Sequence, residues 1–390
     1  MNRPVFSILR QILRSVYGVL NVLVIVWLFC CLYASYFDAS KGATLWSLFS
    51  FTNLFAVLAN ITFIGIWLFS KKKRYALGSF VTLLLCWRIT SVVFGVNIWS
   101  AMTASGSGDD QGIRVMSWNV HMFDLGEWTA DKSTFAKILR YIEEENPDIL
   151  CMQEYYKDEK DYSAPYSAII KGLGYPYESF MLNNQWNKSK MTINSKPGEV
   201  IDVGTVIYSK FPISNKRYQK LSGKGQGMHT VDIELESGKK FSLTVLHLTS
   251  FQLGDDDLDY IDDLKKQGVE AEKRNTSKSL VYKLMKASSL RARVANEVAS
   301  YSRQIEHPMV ICGDFNDMPG SYVYAAIRGD LSDAFVSSGF GIGNTYQKIL
   351  PILRIDYLFY DKDFFEARGF KKSDIGLSDH YPILVNLKIK

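Results

Sequence analysis

Two rhythms divide the chain. Residues 1 to about 100 are written in long apolar runs with short polar breaks, and from residue 113 short apolar runs alternate with amphipathic stretches. The run "VYGVLNVLVIVWLFCCLYASYF" (16–37) carries no charge before Asp38 and is long enough to cross a bilayer core. It is too long for a cleaved leader, and further apolar runs follow it. A second candidate span, 45–70, stops abruptly at "KKKR". A third, 75–100, is interrupted by Arg88, which is costly in hydrocarbon unless it snorkels or faces an interior.

Beyond the linker-like "ASGSGDDQG" the period changes. "IRVMSWNV" and "DILCMQE" read as strands, separated by a helical "DKSTFAKILRYIEEENPDI" with Asp131 as candidate cap and a stop before Pro147. "VGTVIYSKFPI" and "HTVDIEL…KKFSLTVLHL" supply three more strands, with "ESGKK" as a hairpin turn. "SLVYKLMKASSLRARVANEVASYSRQI" has helical spacing, "HPMVICGDF" is a strand, and "SYVYAAI" a short helix. "RIDYLFY" and "YPILVNLKI" close the chain as strands. Many strands with helices between them predict two layers of sheet with helices outside. No internal repeat is present.

Charge sharpens this division. Residues 1–104 hold nine Lys/Arg and one acid, Asp38, which leaves 36 basic and 39 acidic residues for the rest. The net +5 therefore belongs to the first part, and the second is slightly acidic, which is no argument for nucleic-acid binding. Basic residues favour the cytoplasmic side, so Arg3, Arg10, Arg14 and "KKKR" put the N-terminus and second loop inside. Three spans then carry residues 113–390 to the outer face, with 101–112 as a flexible linker. The five cysteines make no disulfide framework, and Cys151 and Cys312 lie in apolar strands as small hydrophobes.

Polar residues recur at the predicted strand ends: Asn119, Glu154, His247, then Asp314 and Asn316 in "VICGDFNDMPGS", with Asp356 in "RIDYLFY" and Asp379 and His380 in "LSDHYPILV". A single such terminus reads as turn chemistry, since Asp, Asn, Pro and Gly are turn formers. Several together predict a shared catalytic mouth. His229 and His307 read as structural or exposed.

The order "WN…QE…HL…GDFN…IDY…SDH" over residues 113–390 resembles the endonuclease/exonuclease/phosphatase superfamily, which includes deoxyribonuclease I-like nucleases, AP endonucleases, sphingomyelinases and inositol polyphosphate phosphatases. "GDFND" with the terminal "SDHYPI" is the most specific part. The resemblance implies an α/β fold, a four-layered αββα sandwich (deoxyribonuclease I-like), here preceded by an α-helical transmembrane anchor at residues 1–100. It implies a divalent-metal-dependent phosphoester hydrolase, with Mg²⁺ or Mn²⁺ on hard oxygen ligands. Glu154 matches the metal ligand, supported by Asn119 and Asp379. Asp314 matches the residue that orients or deprotonates the attacking water, and Asn316 a neutral phosphate donor. His380 matches the phosphate-contacting imidazole or acid/base, and Asp356 the carboxylate that orients it. His247 matches a second histidine that AP endonucleases replace, which points away from that branch. Gly204 matches a position of close strand approach.

The expected substrate is a nucleic acid or a phospholipid head group or other small phosphodiester, and no protein partner is inferable. The acidic "GDDDLDYIDDL" (254–264) would sit at the rim and repel polyanions, and only local basic clusters ("NKSKMTINSK", "NKRYQKLSGKGQG") offer a cationic track. A non-catalytic binding module on the same fold is the alternative, and the completeness of the residue set argues against it. A channel or transporter would need polar residues in several spans, where Arg88 is the only charge.

Overall fold

The apolar central strands of the second part must bury one face against the other sheet and the opposite face under a helix, and four layers satisfy both demands. The computed structural model describes residues 3–98, 112–125, 133–157, 166–187, 200–250, 274–348 and 352–390. The predicted cap Asp131, the acidic stretch 254–264, residues 101–111 and most of "NKSKMTINSK" lie outside the described residues.

With strands numbered in chain order, the first six-stranded sheet runs β13 (Phe365–Lys372), β14 (Ile383–Ile389), β2 (Gly112–Asn119), β3 (Ile149–Lys157), β5 (Val200–Ser209), β4 (Tyr177–Asn187). The second runs β10 (Ser332–Asp333), β12 (Asp356–Tyr360), β9 (Met309–Asp314), β8 (Lys240–His247), β7 (Gly227–Glu234), β6 (Ile213–Lys220). Each sheet has one parallel pair at its centre, β2 with β3 and β8 with β9, and antiparallel neighbours around it. Parallel neighbours finish at the same edge. The central pairs therefore bring Asn119 level with Gln153, and His247 level with Asp314.

Ile113, Val115 and Cys151 of the first sheet meet Val245, Val310 and Cys312 of the second in a core with no exposed member among these six beyond 3%. Cys151 and Cys312 are free thiols on facing sheets, and burial, then the Cys312 thiol, pushes Cys151 well above its ordinary value. The outer face of the first sheet packs Met116, Leu150 and Met152 against Ile138 and Ile142 of helix Thr134–Glu145. That of the second packs Leu246, Ile311 and Phe359 against Ala292, Ala295 and Val298 of helix Arg274–Ser302. The strands "YESFMLNNQWN", "ISNKRYQK" and "FEARGFKK" escape the sequence reading because they lack an apolar run. β6 and β13 are half-exposed in places, and β4 and β6 lie at sheet edges, where one ladder partner suffices.

In the first part, the 20 residues Ser15–Ala34 of helix Arg3–Ala34 are long and apolar enough to cross a membrane. The second predicted span is two helices, Thr44–Ser50 and Asn53–Leu68, bent by 55°, and the third is Lys73–Leu85 followed by Trp87–Val93, bent by 84°. Counting each bent pair as one span gives up to three. Arg88 stands at the second bend, exposed, with its guanidinium 4.3 Å from the centre of the Tyr36 ring. The guanidinium is thereby paired with the electron-rich face of an aromatic ring.

This part packs directly on the sandwich. Asp38 accepts a hydrogen bond from Asn296 (2.8 Å), and Asn53 Nδ2 donates to Pro319 O (2.8 Å). Asn97 Nδ2 donates to Val336 O, and Gly95–Val96 (β1) pairs antiparallel with Phe340–Gly341 (β11). The fully buried Arg354 donates to both Asp333 (2.7 Å) and Val92 O (2.7 Å).

Candidate active site

Asp314 ends β9 with Asp356 of β12 directly opposite on one side and His247 of β8 on the other. That register is set by the sheet, so three ionisable side chains meet before any loop is considered. Asp314 Oδ1 accepts from the Asn316 backbone N–H (2.9 Å), a local turn that puts Asn316 in the left-handed region (φ 51°). Oδ2 faces inward, 3.6 Å from His380 Nε2, 3.7 Å from His247 Nε2 and 3.2 Å from Asn119 Nδ2. "GDFN" is therefore both a turn and part of the cluster.

Glu154 reaches the same spot through a backbone irregularity. Leu150 and Met152 face the outer helix, and strict alternation would send Glu154 the same way. A bulge between Met152 and Tyr155 inserts an extra residue and sets Glu154 at φ 50°, and its carboxylate turns to the mouth. There Glu154 Oε1 accepts from Asn119 Nδ2 (3.1 Å) and lies 3.5 Å from His247 Nε2. Gly204 sits opposite this bulge, where a Cβ would lie 1.9 Å from Met181 O.

His380 is clamped. Its Nδ1 donates to Asp356 Oδ2 (2.9 Å), Nε2 points at Asp314, and Tyr346 lies edge-on to the ring at 4.9 Å. Burial by itself lowers its pKa, but the Asp356 and Asp314 carboxylates outweigh this and raise it to about 10. Asp314 is raised to about 6, because burial disfavours its charge more than His380 favours it. The pair is thus an imidazolium facing a carboxyl group poised near neutrality.

Asn316 Nδ2 donates to Leu248 O (3.0 Å) and Asp314 Oδ2 (2.9 Å), so in this arrangement the amide holds Asp314 in place, where the sequence reading made it a phosphate donor. Asn119 Oδ1 accepts from His121 N (3.1 Å), leaving its Nδ2 to align Glu154 and Asp314. Asp379 stands to one side, with Lys348 Nζ at 3.0 Å and His121 Nδ1 at 3.6 Å. Burial raises its pKa, but His380, His121 and Lys348 together bring it below the ordinary carboxylate value.

His121, Tyr346 and Lys348 were missed by sequence reasoning. His121 follows "WN" by one residue and was legible as another polar group past a strand end. It opens a run of four left-handed residues, His121 to Asp124 (φ 45–63°), a conformation costing roughly 1–2 kcal/mol per residue. Tyr346 and Lys348 are brought in by the chain between β11 and β12, which carries no periodic signal. Burial and the charges of Asp379, Asp314 and Glu154 push the Tyr346 hydroxyl up. The other two histidines lie elsewhere: His229 is fully buried between Ser179 Oγ (2.8 Å) and Thr205 Oγ1 (3.1 Å), and His307 is half-buried near Asp232.

The donor set suits a hard divalent cation. Glu154 is a carboxylate with a quarter of its side chain open to solvent, which fits Mg²⁺, an ion that keeps several waters and uses one or two carboxylates. Asp314, Asp356 and His380 also lie within 4.8 Å of one another, but both nitrogens of His380 already face carboxylates and its raised pKa keeps the ring protonated, which a ligand cannot be.

No curated protein matches this sequence. Among solved structures, the human Nocturnin catalytic domain with bound sulfate anion is similar at 20% identity, covering 72% of this chain and 95% of that one, with a TM-score of 0.51. An endonuclease/exonuclease/phosphatase from Beutenbergia cavernae matches at 17% identity over 72% of each chain (TM-score 0.48). Truncated Caenorhabditis elegans TDP2 matches at 16% over 71% of this chain and 98% of its own (TM-score 0.44). The likeness to the Nocturnin domain concerns the fold. A model of a domain of unknown function matches residues 14–93. The Endonuclease/Exonuclease/phosphatase family model matches residues 116–380, most of the chain and every residue of the cluster, and the chain belongs to that family of phosphoester hydrolases.

Proposed function

We propose that the protein is a membrane-anchored, divalent-metal-dependent phosphodiester hydrolase, with residues 1–100 as the anchor and 113–390 as the catalytic domain. The observation that carries this reading is the convergence on Asp314 of a protonated imidazole, a second imidazole and a carboxylate neighbour, within 3.7 Å of one oxygen or joined to it by Asn119.

Glu154 would hold the metal, with Asn119 aligning it and Asp379 completing the acidic wall. When bound, the metal polarises the phosphoryl group and stabilises the departing oxygen. Asp314 takes the proton of the attacking water, for which a pKa near 6 is well placed at neutral pH. Asn316 keeps the Asp314 carboxylate oriented. His380, fixed as imidazolium by Asp356, donates from Nε2 to a phosphoryl oxygen, and His247 binds the same group from the opposite side. The new P–O bond forms to water as the ester P–O bond breaks, and the leaving oxygen takes a proton from solvent water while Asp314 returns its own to solvent.

The acidic balance of residues 105–390 supports a small or lipid phosphodiester over long nucleic acid, since a backbone track needs clustered cations. Basic Arg3, Arg10, Arg14 and 71–74 support a cytoplasmic N-terminus and an outer catalytic domain. The test is hydrolysis of bis(p-nitrophenyl) phosphate by the full-length chain in detergent, with and without EDTA. Turnover abolished by EDTA, restored by Mg²⁺ or Mn²⁺, and absent in His380→Ala and Glu154→Ala is expected. Turnover that survives EDTA or either variant overturns the reading.

A further inference from the structure

From the way the first hundred residues grip the mouth, and resting on the hydrolase reading above, we infer that the substrate is a phosphoester lipid taken from the bilayer that holds the protein. A tethered domain on a linker would sample any orientation. Here the apolar part is bonded to the same loops that build the site. Asn53, the first residue of helix Asn53–Leu68, donates to Pro319 O, three residues past Asn316. Gly320 is packed so closely that a Cβ there would lie 3.1 Å from both Asn53 and Ile89. Phe51 packs against Met318, Leu353 and Ile355, the cluster that also receives Tyr346, whose ring lies on His380. Val92 O is bonded by Arg354, two residues before Asp356.

The level of this junction is marked by its aromatics. Phe37 stacks on Trp46 at 5.1 Å, Tyr33 lies 6.3 Å from Trp46, and Arg88 sits over Tyr36. Aromatic rings gather where hydrocarbon gives way to head groups. Trp46 belongs to the short helix Thr44–Ser50, and Phe51 and Asn53 follow directly after its end. The rim formed by 316–321 and 345–355 is therefore held at head-group depth by the stretch after the first apolar helix and by the bends of the two helix pairs. The opposite ends, with Trp67 against Tyr75 beside "KKKR", lie on the far side. A diester presented in the plane of the bilayer meets the site at high effective concentration, whereas a soluble one does not.

The experiment uses the full chain in nanodiscs whose bilayer contains phosphatidylethanolamine, phosphatidylglycerol, sphingomyelin and phosphatidylinositol 4,5-bisphosphate. Release of water-soluble phosphate products is compared with hydrolysis of glycerophosphoethanolamine, bis(p-nitrophenyl) phosphate and a single-stranded oligonucleotide. Turnover of at least one bilayer lipid, with kcat/KM roughly a hundredfold above its deacylated counterpart, is expected. A second measurement uses Asp38→Ala/Asn53→Ala, which loosens the grip without touching the catalytic cluster. Lipid turnover should fall about tenfold while soluble-diester turnover stays within about twofold. Hydrolysis of soluble diester or oligonucleotide with no lipid cleaved overturns this inference and leaves the hydrolase reading standing. An equal loss on lipid and soluble substrate in the double variant also overturns it. No turnover of anything ends both.

Discussion

At the residue scale, His380 and His229 show how surroundings decide what an imidazole does. His380 lies between two carboxylates and is held charged, with a pKa raised to about 10. His229 lies between two hydroxyls in the core, where burial, with help from Lys216, lowers its pKa to about 3 and keeps it neutral. The two carry opposite expectations. Removing the Asp356 charge in Asp356→Asn takes away the largest stabiliser of the His380 imidazolium, so the alkaline limb of the kcat/KM profile should move from near pH 10 toward neutrality. The rate at neutral pH should drop by roughly two orders of magnitude, as for a misoriented acid–base group. For His229 the unfolded chain binds a proton below about 6.5 that the folded one refuses until about 3. Stability should therefore fall with acidification across that window, by about 1.4 kcal/mol per pH unit at most. Urea midpoints from pH 7 to 4 check this, and His229→Gln should flatten the dependence. In the sequence His229 lies within a strand-like run and reads as structural or exposed, while His380 follows Ser378 and Asp379. Only His380 had a strand-end position to distinguish it.

At the element scale, the site owes its shape to two parallel strand pairs and one bulge. Strand ends were legible because apolar runs stopped at Asn119, Glu154, His247 and Asp314. Which ends share an edge was not, since that depends on whether neighbours run parallel. The bulge at Glu154 was equally invisible: it is a register shift between partners far apart in sequence. Gly204→Ala tests it. The added Cβ must push β4 away from the bulge, with an expected cost of about 2–3 kcal/mol in unfolding free energy and a loss of metal affinity by calorimetry. Unchanged stability and affinity would show that the close approach is not needed to aim Glu154.

At the scale of the whole molecule, the apolar part and the sandwich are joined by more than the chain that links them. Arg354 is the clearest joint: fully buried, it satisfies Asp333 and Val92 O together. Arg354→Met should cost about 3–5 kcal/mol, because Asp333 is left as a buried charge without its cation. For the same reason residues 105–390 alone should unfold at a lower temperature than the full chain in detergent. Equal midpoints by light scattering and fluorescence would mean that the two parts are energetically independent. Composition divides the chain into an apolar part and a mixed part and suggests a loose tether between them, because hydropathy carries no signal for a contact between Asn53 and Pro319, 266 positions apart.

Period and composition alone determined that this chain has apolar segments and a layered α/β part, and the ordered polar residues determined the family. These are local properties, carried by spacing along the backbone. Tertiary structure decided what the residues do together: the protonation of His380, the aim of Glu154, the entry of His121, Tyr346 and Lys348, and the grip of the apolar segments on the rim. Each depends on burial and on the meeting of distant strands and loops, and electrostatic and packing energies act through space regardless of separation along the chain.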